Sequence, residues 1–299
     1  MRLKTTLEQW QTLREIDQAG SIQAASVAMN KSHTTLIYAV KKLEQQLGVS
    51  LVVVQGRRAV LSEDGQSLLR RANAMLEQAR ELEQMSAQLG QGIESEITIA
   101  IDHLCDPAWL YQPMAEFVAS HRNTSIQIIE TSLSKTTAMV TSEQADLAII
   151  NLPITNYPAQ AFGITSMLPV ITAQHPLASQ PTVSLSELAN ISQIVVRDLG
   201  ADMATKRKLD VGWLKSNQRI TVDNFDHALR AVGHGVGYCR LPAHIVNSPA
   251  GKELVILAVE NAQCYQVPLH LTLPKGSKTG PAASAFHALL MQRASERMT

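Results

Sequence analysis

Gly20-Ser21-Ile22-Gln23-Ala24-Ala25-Ser26-Val27-Ala28-Met29-Asn30-Lys31-Ser32-His33-Thr34-Thr35-Leu36-Ile37-Tyr38-Ala39-Val40-Lys41-Lys42-Leu43 is the run of sequence that decides the fold. Ser21 is placed to cap a short helix, Ile22 to Met29, whose Ala24, Ala25 and Ala28 are small enough for close helix packing. Asn30-Lys31 makes a turn. Ser32 then caps a further helix in which Leu36, Val40, Leu43 and Leu47 share one face, and Gly48 ends it. Upstream, Thr6 with Gln9 forms a capping box, and Leu7, Trp10, Leu13 and Ile16 recur at helical spacing up to Gly20. Three short helices with an alanine-rich second one form a helix-turn-helix, whose third helix enters the major groove of DNA.

The side of that third helix turned away from the core offers Ser32, His33, Thr34, Thr35, Ile37, Tyr38, Lys41 and Lys42. Hydroxyl and imidazole groups read base edges, Ile37 suits a thymine methyl, and the lysines neutralise phosphates. Leu51-Val52-Val53-Val54, the turn Gln55 to Arg58 and Ala59-Val60-Leu61 read as a β-hairpin, a wing with Arg57 and Arg58 near its tip. The chain as a whole is neutral, yet residues 1–61 hold eight Lys/Arg against four acids. A basic excess confined to one small module fits a phosphate-contacting head, although a solvated face would look the same by charge alone.

Leu7-x-x-Trp10, Gly20-Ser21-Ile22, Ala24-Ala25, Lys42-Leu43-Glu44, Leu47-Gly48, Leu51 and Arg57-Arg58 followed by Leu61-Ser62-x-x-Gly65 together resemble the head of LysR-type transcriptional regulators. The chain departs from that pattern in two places. Ile37-Tyr38 stands where the family usually has a small hydroxyl residue, and Val52 and Val54 stand where it has Phe and then Arg.

From Ser62 to about Leu89 the chain reads as one long helix. Leu68, Ala72, Met75, Ala79, Leu82, Ser86 and Leu89 alternate four and three apart, a heptad seam. A single helix cannot bury such a strip, so pairing with a second copy through Leu68, Ala72, Met75, Ala79, Leu82 and Leu89 is expected; packing on the chain's own second domain is the other possibility. The resemblance implies the same pairing, with dimers of dimers beyond it. Gly90-Gln91-Gly92 makes a hinge.

After Gly92 strands alternate with helices, the mark of an α/β fold. Ile97 to Ile101, Ile126 to Glu130 and Asp146 to Ile150 read as strands. Ligands of open α/β sheets bind beyond the carboxyl ends of strands, which places Asp102, His103, Thr131, Ser132 and Asn151 at a pocket. A second unit begins near Ile164 and holds the strand Ile194 to Arg197, a helix capped by Asp223, and a return through Gly233, Gly235 and Gly237 into Tyr238-Cys239-Arg240-Leu241-Pro242. Thr131, Ser132 and Ser134 at a helix start, with Arg197 of the second unit closing over the cleft, favour an anionic metabolite, while Asp102 and Asp198 would instead take an amino or hydroxyl group, which also allows a zwitterion or polar acid. The other reading has Ser132 and Ser134 only capping the helix and Arg197 paired with Asp198. These stretches resemble the LysR-type effector domain, which implies a two-lobed periplasmic-binding-protein fold with two crossovers.

The expected organisation is therefore a winged helix-turn-helix at 1–61, a linker at 62–92 and an effector domain at 93–299. Its first lobe takes residues 93–163 and 267–299 and its second takes 164–266. The expected partners are an operator in double-stranded DNA, a small-molecule effector and further copies of the chain. With 299 residues, 45% hydrophobic and 17% charged, this is an ordinary globular composition. No signal peptide and no apolar run of ~18 residues is read, so a cytoplasmic protein without a membrane span is expected. Cys105, Cys239 and Cys264 are too far apart for a disulfide framework or a zinc cluster. No cofactor or metal is expected. Asp102, His103 and Cys105 crowd one loop, but catalytic partners normally converge from separate elements, and no enzymatic role is assigned. The competing reading is a two-lobed α/β enzyme or solute-binding protein with an accessory head.

Overall fold

A computed structural model describes residues 3–55, 58–198, 200, 216–261 and 264–298, and the chain divides into two compact units at Gln91/Gly92. In the first unit α1 (Leu7–Ala19), α2 (Ile22–Ala28) and α3 (His33–Leu47) are followed by the hairpin β1 (Val52–Gln55) and β2 (Arg58–Leu61) and by α4 (Glu63–Gly90). Each helix starts on the cap that its sequence supplies. Thr6 and Gln9 make a reciprocal capping box, Ser21 accepts from the Ala24 N–H, and Ser32 accepts from the Thr35 N–H. Gly20 and Gly48 end α1 and α3 at φ of 70° and 74°, a conformation that side-chain-bearing residues resist. Trp10, Leu13, Leu43, Leu51 and Leu61 fill one core, while Ile16, Ala25, Leu36 and Val40 fill a second between the three helices.

α4 runs for 28 residues, about 42 Å. It belongs to the head unit, so no boundary falls at 61/62 in the packing. Leu69, Ala72 and Leu76 enter the core of the head, and Leu68 packs against it. This corrects the expected seam: Ala72 is covered by the head itself and Leu68 is half-buried there. Met75, Leu82 and Leu89 are 39%, 67% and 50% exposed, and Ala79 is half-buried.

The second unit is built on one sheet of nine strands among the described residues. Its elements are β3 (Glu96–Asp102), α5 (Ala108–Ser120), β4 (Ser125–Thr131), α6 (Leu133–Thr141), β5 (Leu147–Ile150) and β6 (Ala159–Thr172), then α7 (Leu185–Ala189), β7 (Gln193–Val196), β8 (Arg219–Val222), α8 (Phe225–Gly233), β9 (Tyr238–Pro242), α9 (Ala243–Val246), β10 (Leu254–Ile256), β11 (Tyr265–Thr272) and α10 (Pro281–Met298). The strand order is β4-β3-β5-β11-β6-β9-β7-β8, with β10 beside β6. β4, β3 and β5 run parallel, as do β9, β7 and β8. The long strands β6 and β11 join these two groups antiparallel to their neighbours. The result is the expected α/β architecture: two parallel lobes connected by two crossing strands.

The β6–β11 register breaks once. Leu269 pairs with Gly163 and His270 with Ala161, so Phe162 is an extra residue, a bulge. Gly163 is required there because a Cβ would lie 2.5 Å from the Trp109 ring. Phe162 is fully buried and packs edge-on against Trp109 at 5.9 Å.

One cap, that of α8, differs from expectation. α5 begins on Pro107, with the Asp106 carboxylate accepting from the Ala108 N–H at 2.9 Å. α8 is capped by Asn224, which accepts from the His227 N–H, because Asp223 is engaged by Arg197.

Candidate functional site

In the head, α3 leaves Ser32, His33, Thr34, Thr35, Tyr38, Lys41 and Lys42 exposed, with Ile37 half-buried. Thr34, Tyr38 and Lys41 fall at i, i+4 and i+7, one face of the helix. Ser32 has a structural duty as well, since its Oγ accepts from the Thr35 N–H at 3.1 Å and lies 2.7 Å from the Thr35 hydroxyl. Lys31 is bonded to Glu8, and that hydrogen bond and charge hold the Glu8 carboxyl below its usual range. Glu44 joins α3 to the wing by accepting from the N–H groups of Leu51 and Val52 at 2.7 and 3.1 Å. The backbone of Arg58 opens β2; its side chain and the whole of Arg57 lie outside the described residues.

In the second unit the strand ends converge as the topology requires. His103 follows β3 and packs against Phe225 at the start of α8 in a tilted arrangement, with ring centroids 4.8 Å apart and the planes at 54°. One cavity of about 220 Å3 lies beside this pair. His103, Asn151 and Arg197 line it together with Leu104, Met167, Ile194, Arg240, Tyr265 and Val267. A second cavity of about 480 Å3 is lined by Asp102, His103, Tyr111, Glu130, Asp226 and His244.

The start of α6, expected to receive an effector's anion, is already filled. Asp198 accepts from the Ser134 N–H at 3.2 and 3.3 Å through its two oxygens, from the Ser134 hydroxyl at 2.6 Å and from the Ser132 hydroxyl at 3.4 Å. Thr131 is also unavailable: its hydroxyl donates to the Ile101 carbonyl and accepts from Thr136. Arg197 pairs with Asp223 at 2.5 Å, neither with Asp198 nor as a clamp facing α6. Ser132 and Asp198 therefore tie the lobes together and Thr131 is bonded within the first lobe, whereas Asp102, His103, Asn151 and Arg197 reach a cavity. A carboxylate supplied by the chain satisfies the same helix-end donors that would suit a ligand.

Burial dominates the electrostatics. It pushes the Asp102 carboxyl up to about 7, opposed by the N–H groups of Leu104 and Leu133 and the Thr136 hydroxyl and reinforced slightly by Asp198. His103 is pushed down to about 4 by burial, with the nearby Asp198 charge acting the other way, so its ring is neutral at neutral pH. Burial also raises the Cys105 thiol, and it raises Cys239 to about 12, which leaves both without thiolate character. Asp102, His103 and Cys105 thus lack a nucleophile. No group of His, Cys, Asp and Glu among the described residues is arranged to hold a metal ion.

Residues 90–295 match the family described as LysR substrate binding domain, and residues 7–66 match that described as bacterial regulatory helix-turn-helix protein, lysR family. The chain belongs to the LysR family. Among curated relatives, the probable HTH-type transcriptional regulator YhaJ of Escherichia coli is 27% identical over 249 residues, covering 81% of each protein. The RuBisCO operon transcriptional regulator of Allochromatium vinosum is 23% identical and covers 98% of this chain and 97% of its own length. Among solved structures, the LysR-family regulator CbnR superposes with a TM-score of 0.51 at 16% identity, over 96% of this chain and all of CbnR. Full-length LysG of Corynebacterium glutamicum gives 0.50 at 21% identity over 98% of both. This LysR-type chain is a DNA-binding transcription regulator with an effector-binding domain, and its relatives are named as regulators, not as enzymes.

The sequence reading of this LysR-family effector domain named His103, Asn151 and Arg197 of the smaller cavity, and among the residues it missed are Phe225, Arg240 and Tyr265. Phe225 and Tyr265 carry no local signal, because only the sheet order brings α8 and β11 to the end of β3. Arg240 did carry one. It is the lone charge in Tyr238-Cys239-Arg240-Leu241-Pro242, a strand buried at every position.

Proposed function

We propose that two chains pair along the exposed stripe of α4, that each α3 with its wing reads one half of a two-fold operator, and that pairs assemble further into dimers of dimers. A small molecule bound between the lobes changes operator occupancy. The working compartment is the cytoplasm, where chromosomal DNA lies; no described helix is long and apolar enough to cross a membrane.

The observation that carries the ligand-gated part is the cavity beside His103 and Phe225. Its walls come from both lobes: Leu104 and Asn151 follow strands of the first, and Ile194 and Arg240 lie on strands of the second. A molecule held there touches both lobes and so biases their separation through its differential affinity for the two arrangements. Asp102, His103, Asn151 and Arg197 supply the polar groups around the cleft. For the head, His33, Thr34, Thr35, Ile37 and Tyr38 are assigned to the bases. Ser32, Lys41, Lys42, Arg57 and Arg58 are assigned to phosphates and the sugar edge.

The test is a mobility-shift titration of the full-length protein on its own upstream DNA across a salt series, with and without a small-molecule extract. Wild type should shift the fragment, and Lys41→Ala with Lys42→Ala should reduce the slope of log affinity against log salt by about one unit per contact. An unchanged slope would remove these lysines from the phosphate contacts. A shift indifferent to the extract would remove ligand gating.

A further inference from the structure

We propose that Asp198 is a built-in anion that latches the second lobe onto the start of α6, so that the effector domain keeps the lobe arrangement described above with no small molecule bound, and resting operator occupancy is that of the latched form. The effect on occupancy rests on the ligand-gated reading above; the latch stands on its own contacts.

α6 packs on β3 and β5 of its own lobe. The first N–H groups of a helix have no partner within it. Ser132, the residue before α6, makes no bond to them with its own hydroxyl. The group that closes this end comes from the other lobe, 64 residues further along the chain. Both oxygens of Asp198 accept from the Ser134 N–H; one also accepts from the Ser134 hydroxyl at 2.6 Å and the other from the Ser132 hydroxyl at 3.4 Å. Each of these donors is uncharged, and Asp198 is only 7% exposed. N–H groups and the helix dipole thus hold this carboxylate as they would hold a bound anion.

The backbone is fitted to the same contact. The Gly200 N–H donates to one Asp198 oxygen at 3.1 Å and so pins the carboxylate from its own side. A Cβ on Gly200 would lie 2.2 Å from the Lys135 nitrogen and 2.6 Å from the Ser134 hydroxyl oxygen. The second lobe therefore meets α6 at a distance that only glycine allows. Leu133, between the two serines, sits at φ 38°, a left-handed conformation that a leucine resists and that persists only where its surroundings hold it. A few hydrogen bonds exchanged against water are worth little net, so the latch can open while β6 and β11 keep the lobes joined. A gating molecule then acts through its differential affinity for the latched and released forms.

Hydrogen–deuterium exchange and DNA mobility shift on the full-length protein test this with Asp198→Ala, Asp198→Asn and Gly200→Ala. Exchange over residues 131–141 should accelerate roughly tenfold or more in both alanine variants, with exchange over the head as in wild type. Asp198→Asn keeps one acceptor oxygen and should fall between. Acetate, at an ionic strength held constant with chloride, should restore slow exchange to Asp198→Ala by filling the vacated place, whereas neutral acetamide should not. Affinity for the upstream DNA should move by roughly fivefold in Asp198→Ala and return with acetate. Wild-type exchange in both alanine variants overturns the latch. So does fast exchange that spreads over both lobes and ignores acetate, the mark of a contact needed only for folding. Acetate-reversible exchange with DNA affinity unmoved leaves the latch standing and removes the gating reading alone.

Discussion

Asp102 and His103 are adjacent in sequence and oppose each other across the acid range. Asp102 holds its proton in the folded state up to about 7, far above its unfolded value, so the folded state binds more protons and stability falls as pH rises from about 4 to 7. His103 stays neutral in the folded state down to about 4 while the unfolded imidazole takes a proton below about 6.5, so stability falls as pH drops through that window. The two slopes largely cancel between about pH 4 and 6.5. Denaturant unfolding across this range should show Asp102→Asn gaining stability with rising pH and His103→Gln losing it. Parallel profiles for both variants would mean that neither side chain titrates as its burial requires. Strand-end reasoning named Asp102, His103 and Asn151 because a sheet's carboxyl edge is visible in a sequence. It missed that Asp198 fills the start of α6, since that contact spans 64 residues of chain and no local pattern encodes it.

At the scale of elements, the junction between wing and long helix hangs on one glycine. A Cβ on Gly65 would lie 2.2 Å from the Leu51 carbonyl oxygen, which already accepts from the Ser62 N–H at 2.9 Å. Gly65→Ala should therefore destabilise the head by about 1–3 kcal/mol through backbone displacement, read as a lower unfolding midpoint with far-UV helicity retained below it. An unshifted midpoint would show that β1 and α4 can part without cost. The helices, their caps and the hairpin were legible because each carries its own signal: Thr6 with Gln9, Ser21, Ser32, Gly48, and two β-branched runs about a turn. The heptad line on α4 was legible too. Its division was not, because Leu68 and Ala72 are claimed by Trp10, Leu13 and Leu51, which only the folded head brings to that face.

For the whole molecule, assembly and ligand response depend on surfaces that the single chain leaves open. Met75, Leu82 and Leu89 stand seven residues apart and exposed, so a carboxylate at Leu82 would be buried only in an assembled form, where leaving it unpaired costs several kcal/mol. Leu82→Glu should lower the mass seen by light scattering and weaken operator binding, with the thermal unfolding of the monomer unchanged. An unaltered mass would place the pairing surface elsewhere. The bulge at Phe162 bears on the other half of the molecule. Phe162 is buried at the bulge, Thr165 and Met167 are buried beyond it with Ile164 exposed between, and all four residues from Pro169 to Thr172 are buried. The extra residue offsets the β6 register against β11 by one position. Removing a residue elsewhere on β6 would therefore turn the side chains between that point and the bulge to the opposite face of the sheet.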